Sequence, residues 1–253
     1  MAARSAEGEP EGSSGKKKRR VGAPIFKEGD GSRGEALIES EHVHAVYEQI
    51  ADHFHETRFS HWPLVTGFLK STVPNSFIAD VGCGNGKYSQ LQRDLEASGE
   101  IKGRSMMVGC DRCVQLIEVA ATRGPMIIAD NLSLPFRSEC FDAIISIAVI
   151  HHFASTERRA QALREMFRVL RVGGRIMVSV WAFEQEKKEY ASQDSLIPWM
   201  YRGKTDAVFQ RYYHLFRQGE LEHLGLGIGC VELIDSIWDY DNWYCTFKKI
   251  EII

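Results

Sequence analysis

The sequence has no apolar run approaching the roughly 18 residues that cross a membrane. The strongest candidate, Ala143 to Ile150, is interrupted by Ser146 and stops at a histidine pair. No apolar segment opens the chain, so a secretory leader is not expected and a soluble, cytoplasmic protein is. Cysteine is sparse, six in 253 residues, too scattered for a disulfide framework and expected as thiols. One Cys-x-x-Cys occurs, Cys110-Asp-Arg-Cys113, without the second pair a tetrahedral zinc site needs, so no metal is assigned. No internal repeat is visible. Excess positive charge is missing too. Residues 1–35 hold 8 of the 31 Lys and Arg and 6 of the 34 Asp and Glu, leaving 23 against 28 in the remainder. A mildly acidic body does not grip nucleic acid by charge alone, so any RNA contact needs a local patch or a partner.

What remains is ordinary globular composition, 44% hydrophobic and 26% charged, which excludes a largely disordered or fibrous chain. Residues 1–35 are poor in large apolar side chains and read as a disordered tail. Its run Lys16-Lys17-Lys18-Arg19-Arg20 is a nuclear import signal, a phosphate-attracting arm or a solvated charge run. Residues 36–253 read as one domain. Val43, Val46, Tyr47, Ile50 and Phe54 recur at helical spacing, and a second short helix is expected to reach Ser71. Strands are expected at Phe77–Val81, Met106–Cys110, Met126–Ala129, Phe141–Ile147 and Arg175–Ala182. Helices are expected at Val114–Ala121 and Glu157–Leu170, the latter ended by Gly173-Gly174. Strands alternating with helices predict a parallel sheet covered on both faces. Glu96 to Arg104 reads as a loop, residues 184–210 as irregular, and Gln218 to Leu224 as a short helix. Gly229–Ile237 and Asn242–Ile250 then predict an antiparallel hairpin.

The first strand runs into Asp80-Val-Gly82-Cys83-Gly84-Asn-Gly86. A dinucleotide fingerprint would place its third glycine at Lys87. The acidic-x-G-x-G-x-G pattern instead resembles the loop of class I S-adenosylmethionine-dependent methyltransferases. S-adenosylmethionine has no phosphate, so its site needs an acceptor for an ammonium group and closely approaching backbone, which glycine permits. Asp80 suits the ammonium, with Cys83 in the same loop. Asp111 ends the next strand, where a carboxylate accepts ribose hydroxyls. Asp130-Asn131-Leu132 suits adenine. Ser146 to His152 leaves the fourth strand, placing Ala148 at the cofactor and His151 and His152 near the transferred methyl, one orienting substrate and one packing.

Two absences narrow the acceptor. No proline precedes a cysteine, as pyrimidine carbon methylation uses, and no Asn-Pro-Pro-Tyr follows the fourth strand, as amino-group methylation uses. A carboxylate, ionised at neutral pH, needs no general base. Val43-His44-Ala-Val-Tyr47, Thr57-Arg58-Phe-Ser-His-Trp62-Pro63, Asp80 to Tyr88 and Ile144 to His152 then resemble the eukaryotic tRNA wobble-uridine carboxymethyl methyltransferases. So do Val180 to Gln185, Gln193 to Trp199, Arg211 to Leu221 and Asp241-Asn242-Trp243. The resemblance spans about Glu41 to Phe247. The segment between Trp199 and Arg211 is shorter than in many relatives, and the loop before Met106 longer.

The resemblance implies a class I, Rossmann-like α/β fold: a mainly parallel seven-stranded sheet, helices on both faces and a C-terminal antiparallel hairpin. It implies methyl transfer to 5-carboxymethyluridine in the anticodon, and a small zinc-binding activator subunit as partner. Arg58, Arg211 and His214 are candidates to pair with a carboxylate or phosphate. Trp62, Trp181, Tyr212, Tyr213 and Trp243 are candidates to stack on an extruded uracil, with Asn242 beside them. A same-fold enzyme acting on a small-molecule or protein carboxylate, and an inactive RNA- or partner-binding module, are the alternatives.

Overall fold

The computed structural model describes residues 18–24, 34–200 and 208–252. Lys16 and Lys17 lie outside the described residues, as does most of the segment read as a tail. Residues 18–24 do not stand apart from the domain. They form β1 (Arg19–Arg20) and β2 (Ala23–Pro24), each paired with a strand of the domain described below.

The helix expected around Val43 to Phe54 is longer than its periodicity suggests. α1 (Glu35–Glu39) continues through one π-helical turn, Ser40–His44, into α2 (Ala45–Thr57). Trp62 is extended and Pro63 opens α3 (Pro63–Lys70), where a missing N–H is free of cost. Next come β3 (Phe77–Val81), α4 (Lys87–Ala97), β4 (Met106–Asp111), α5 (Val114–Ala120), β5 (Met126–Ile128) and β6 (Phe141–Ile147). α6 (Thr156–Val169) starts where the Ser155 side chain accepts the Arg158 N–H. β7 (Leu170–Trp181) follows without a loop. Gly173 at φ 81 and a register shift opposite Phe141 and Ala143 absorb the turn read as a helix end.

β3 to β7 are mutually parallel, in the order β7-β6-β3-β4-β5. The hairpin of β11 (Val231–Asp239) and β12 (Asn242–Lys249) completes seven strands, with β12 antiparallel to β7. The expected class I methyltransferase fold is present. Alternation along the strands sends Ala79 and Ile144 into one core with Leu163, Met166 and Phe167 of α6. Ile78 and Ile145 enter another with Val65, Leu69, Leu91 and Leu95 of α3 and α4. Strand order reverses between β3 and β6, which opens a crevice at their carboxyl ends.

Two departures from the sequence reading have plain causes. α4 was unexpected because only Tyr88, Leu91 and Leu95 form its apolar stripe. The stretch read as irregular holds β8 (Lys188–Glu189), β9 (Asp194–Met200) and β10 (Val208–His214). β9 pairs antiparallel with β10 and with β2, making a three-stranded cap, and β1 runs parallel to β8. β10 shows no apolar–polar alternation because Arg211 to His214 is buried on both faces. α7 (Glu220–Leu226) leads into the hairpin.

Candidate active site

β3 delivers Asp80 to the crevice and then turns on glycine. Gly82 sits at φ 78, and a Cβ there would lie 2.4 Å from Val149 Cγ2. Its N–H and that of Cys83 donate to the Cys110 carbonyl at 2.8 and 2.9 Å, locking the loop to β4. Gly86, also left-handed at φ 72, is the N-cap of α4 and packs on Ala120. Asp111 at the end of β4 accepts the Gly84 N–H with Oδ2 and the Cys113 N–H with Oδ1, both at 2.9 Å. This carboxylate is therefore aimed by backbone before any ligand arrives.

A cavity of about 520 Å³ lies over this loop, lined also by α2 and by Arg211 and Tyr213 of β10. Asp80 lines it, is 1% exposed, and its Oδ2 has no hydrogen-bond partner among the described residues. Burial, then the nearby Asp111, pushes its carboxyl up to about 7. A buried carboxylate with an open oxygen is a receptor for a cation. The fold keeps this group protonated, a contribution to stability present in full below the ordinary 3.8 and lost as pH rises through about 7. A cationic ligand selects the ionised form. Donor affinity should therefore rise about tenfold per pH unit up to pH 7 and flatten above it. Calorimetry between pH 6 and 8 checks this, with Asp80→Asn expected to abolish the slope; affinity flat over that range in the wild type would contradict it.

Arg211 lines the same cavity and is only 5% exposed. Its Nη1 donates to the Tyr213 hydroxyl at 2.7 Å, and its guanidinium lies 4.6 Å from the Trp199 ring centre and 5.0 Å from that of Tyr213. Its Nε has no partner among the described residues. Arg58, exposed at the end of α2, lies 4.8 Å from the same Trp199 ring. The Trp199 Nε1–H in turn donates to His53 Nδ1 at 3.0 Å. An acceptor and two cations thus line one cavity.

The two histidines after β6 separate cleanly. His152 reaches the cavity. Its Nδ1–H donates to the Tyr212 carbonyl at 2.8 Å, so its Nε2 accepts from the Tyr47 hydroxyl at 3.0 Å. Burial holds it down to about 3, against the pull of that carbonyl. It is therefore uncharged at neutral pH, with both ring nitrogens engaged. His151 lies behind, fully buried, and its Nδ1 accepts the Trp181 N–H at 3.1 Å. Its ring stacks on Tyr213 with 4.6 Å between centres.

Of the residues singled out from sequence, Asp80, Gly82, Cys83, Gly84, Asp111, Asp130, Asn131 and Ala148 line the cavity on one side. Asp130 is held by the Leu132 N–H and by Arg112, while the Leu132 side chain packs into the core instead. Arg58, Trp62, His152, Trp181, Arg211, Tyr213 and Asn242 line the rest. Tyr212 and His214 do not. Strand alternation turns them to the other face of β10, where the Tyr212 hydroxyl donates to Asp194 at 2.5 Å. His214 sits between Asp194 at 2.9 Å and Glu220 at 2.6 Å. Burial alone would lower its pKa, and the two carboxylates raise it. This is an internal brace with no substrate face. Trp243 is likewise a core residue, its Nε1–H donating to Glu184. Tyr47, Lys87, Gln185, Lys188 and Tyr240 line the cavity without having been singled out as site residues; Tyr47, Lys87 and Gln185 were visible only as members of the Val43–Tyr47, Asp80–Tyr88 and Val180–Gln185 blocks.

The sequence profile described as a methyltransferase domain matches residues 79–178, from β3 to β7. The tRNA (carboxymethyluridine(34)-5-O)-methyltransferase of Schizosaccharomyces pombe is 39% identical over 237 residues, covering 85% of this chain and 99% of the relative. The tRNA (carboxymethyluridine(34)-5-O)-methyltransferase alkbh8 of Xenopus tropicalis is 35% identical, covering 87% of this chain but 42% of that longer relative. Among solved structures, a complex of the Haloferax volcanii Trm112 methyltransferase activator with a putative methyltransferase matches 81% of this chain and 98% of its own. Its TM-score is 0.58 at 13% identity, a likeness of fold. A glycine loop locked to β4, a carboxylate pre-aimed at the end of that strand, an arginine held open across the cavity, and near-complete coverage of the fission yeast relative converge: the chain belongs to the tRNA (carboxymethyluridine(34)-5-O)-methyltransferase family.

Proposed function

We propose that this chain transfers the methyl group of S-adenosylmethionine to the carboxylate of 5-carboxymethyluridine at the tRNA wobble position, forming the methyl ester. The observation that carries the reading is a pair of buried groups of opposite sign in residues lining one cavity, Asp80 Oδ2 and Arg211 Nε, neither with a hydrogen-bond partner among the described residues. They call for ligands bearing an ammonium and a carboxylate.

The residues on the loop side fit the donor. Asp80 receives the ammonium, the glycine loop leaves room for the amino-acid portion, and Asp111 keeps lone pairs for ribose hydroxyls. Asp130 and Asn131 border the adenine. When bound, S-adenosylmethionine supplies a methyl on a cationic sulfur. Asp111→Ala should weaken donor binding by about 1.5–3 kcal/mol, the scale of a hydrogen bond to a charged group. Unchanged calorimetric affinity in a folded variant would refute this role.

On the acceptor side the chain needs to position rather than activate. A substrate carboxylate is already ionised, which agrees with His152 having neither a free proton nor a free lone pair. Arg211, and Arg58 above it, hold and orient the carboxylate. Asn242 donates from Nδ2 to the Tyr240 carbonyl at 2.6 Å, so its amide orientation is fixed and Oδ1 is left without a partner. That oxygen suits the uracil N3–H. Trp181 and Tyr213, with ring centres 4.5 Å apart, form an aromatic wall beside it.

The partner in this reading is a small zinc-binding activator. β5 is an edge strand with Ile127 38% and Ile128 55% exposed, a surface that strand addition would cover. Co-expression with the activator should raise soluble yield and methylation, and Ile127→Lys should weaken the pairing. A chain well behaved and fully active alone, with no stimulation by the activator, would contradict it. The whole reading is tested by offering the purified pair tRNA with and without the carboxymethyl group, together with small carboxylic acids. Methylation of the acids instead would favour the small-molecule alternative.

A further inference from the structure

The hairpin between β11 and β12 turns through two residues, Tyr240 and Asp241, both with positive φ, 44 and 65. Such turns ordinarily use Asn-Gly or Asp-Gly, because a side chain at the first position crowds its own backbone. A tyrosine is a costly choice there, and nothing in the packing accounts for it: it is 81% exposed, the most exposed large hydrophobic residue among the described residues. The strained conformation is nonetheless held firmly. The Ala182 N–H donates to the Asp241 carbonyl at 2.9 Å and the Glu186 N–H to Asp241 Oδ1 at 2.8 Å. Asn242 Nδ2 donates to the Tyr240 carbonyl itself. A tyrosine at positive φ, in a turn held by one hydrogen bond to its own carbonyl and two to Asp241, leaves its ring in solvent at the rim of the cavity, where its conformation can serve a ligand.

We infer that Tyr240 is a stacking platform for the nucleobase adjoining the methylated one. This rests on the function proposed above. Trp181 and Tyr213 stand within the cavity, and Tyr240 lies at its rim, one residue before Asn242. An extruded uracil held at Asn242 leaves the neighbouring base of the single strand at the mouth, where an exposed ring offers its face. Lys188 at the same rim, 5.0 Å from the Trp181 ring centre, supplies a cation for the connecting phosphate. Because the turn's backbone is already held, little loop entropy is lost on binding.

The test uses the full chain with its activator and an anticodon stem-loop carrying 5-carboxymethyluridine, with 2-aminopurine placed on either side of it in turn. One label should be quenched on binding to the wild type, and not to Tyr240→Gly. The same variant should weaken RNA binding about five- to hundredfold, the range for loss of one base–aromatic stack. Donor affinity should be unchanged. Glycine accepts the turn, so the melting temperature should hold or rise; Tyr240→Asn is a second variant suited to positive φ, and Tyr240→Trp should restore binding and quenching. RNA affinity within twofold of wild type in the Gly and Asn variants, or quenching that persists in them, would overturn the inference. Failure of the wild type to methylate the stem-loop while quenching still depends on Tyr240 would instead strike the proposed function.

Discussion

Arg211→Lys should bind S-adenosylmethionine as the wild type does and methylate RNA at least about thirtyfold more slowly. Arg211 is enclosed, its Nη1 is committed to Tyr213, and its flat face lies against Trp199 and Tyr213. A lysine ammonium offers a point charge with no planar fork, and it cannot keep the Tyr213 contact while presenting a second parallel donor. Truncating one member of a buried charge pair costs about 2–5 kcal/mol, which is thirtyfold to several thousandfold. Arg58→Lys should cost less, since Arg58 is exposed and its charge is screened. Steady-state kinetics beside calorimetric donor binding separates the two effects. Full turnover by both single variants would mean that neither holds the carboxylate.

The second large effect is on the donor side. Gly82→Ala should abolish measurable donor binding and lower the melting temperature. The position is left-handed, which costs a side chain about 1–2 kcal/mol. The added Cβ would also sit 2.4 and 2.7 Å from the two methyls of Val149, which itself lines the cavity. Overpacking of that kind adds about 1–3 kcal/mol. The loop can relieve both only by moving away from the Cys110 carbonyl that its N–H now reaches. Val149→Ala in the same chain removes the clash and leaves the backbone penalty. The double variant should therefore recover part of the stability lost, a coupling that independent sites would not show. Gly82→Ala with normal donor affinity would show that the close approach is not needed.

Much of the donor half was legible in sequence because its chemistry is local. Asp80 and three glycines follow one strand, Asp111 ends the next, and Ala148 leaves another, so order along the chain maps onto order across the sheet. The acceptor half depends on contacts between distant segments. Arg211 and Tyr213 were read together with Tyr212 and His214 as one polar and aromatic cluster, whereas strand alternation sends the first pair to the cavity and the second to an internal brace with Asp194 and Glu220. That separation required knowing that residues 208–214 form a strand, and their composition hides it because both faces are buried. Tyr47 and Tyr240 enter the site only through folding. One is brought by a helix extended through a π-helical turn, the other by a hairpin whose spacing predicts it but whose tip residues give no cue to positive φ.

The most direct measurement is nucleoside mass spectrometry after reaction of the chain and its activator with matched anticodon stem-loops, one bearing 5-carboxymethyluridine and one bearing uridine. The proposed function predicts a product one methylene heavier, only from the carboxymethyl substrate, dependent on S-adenosylmethionine and Arg211, and returned to the acid by mild alkali as an ester must be. A methyl group that survives alkali, or one placed equally on the unmodified uridine, would contradict it.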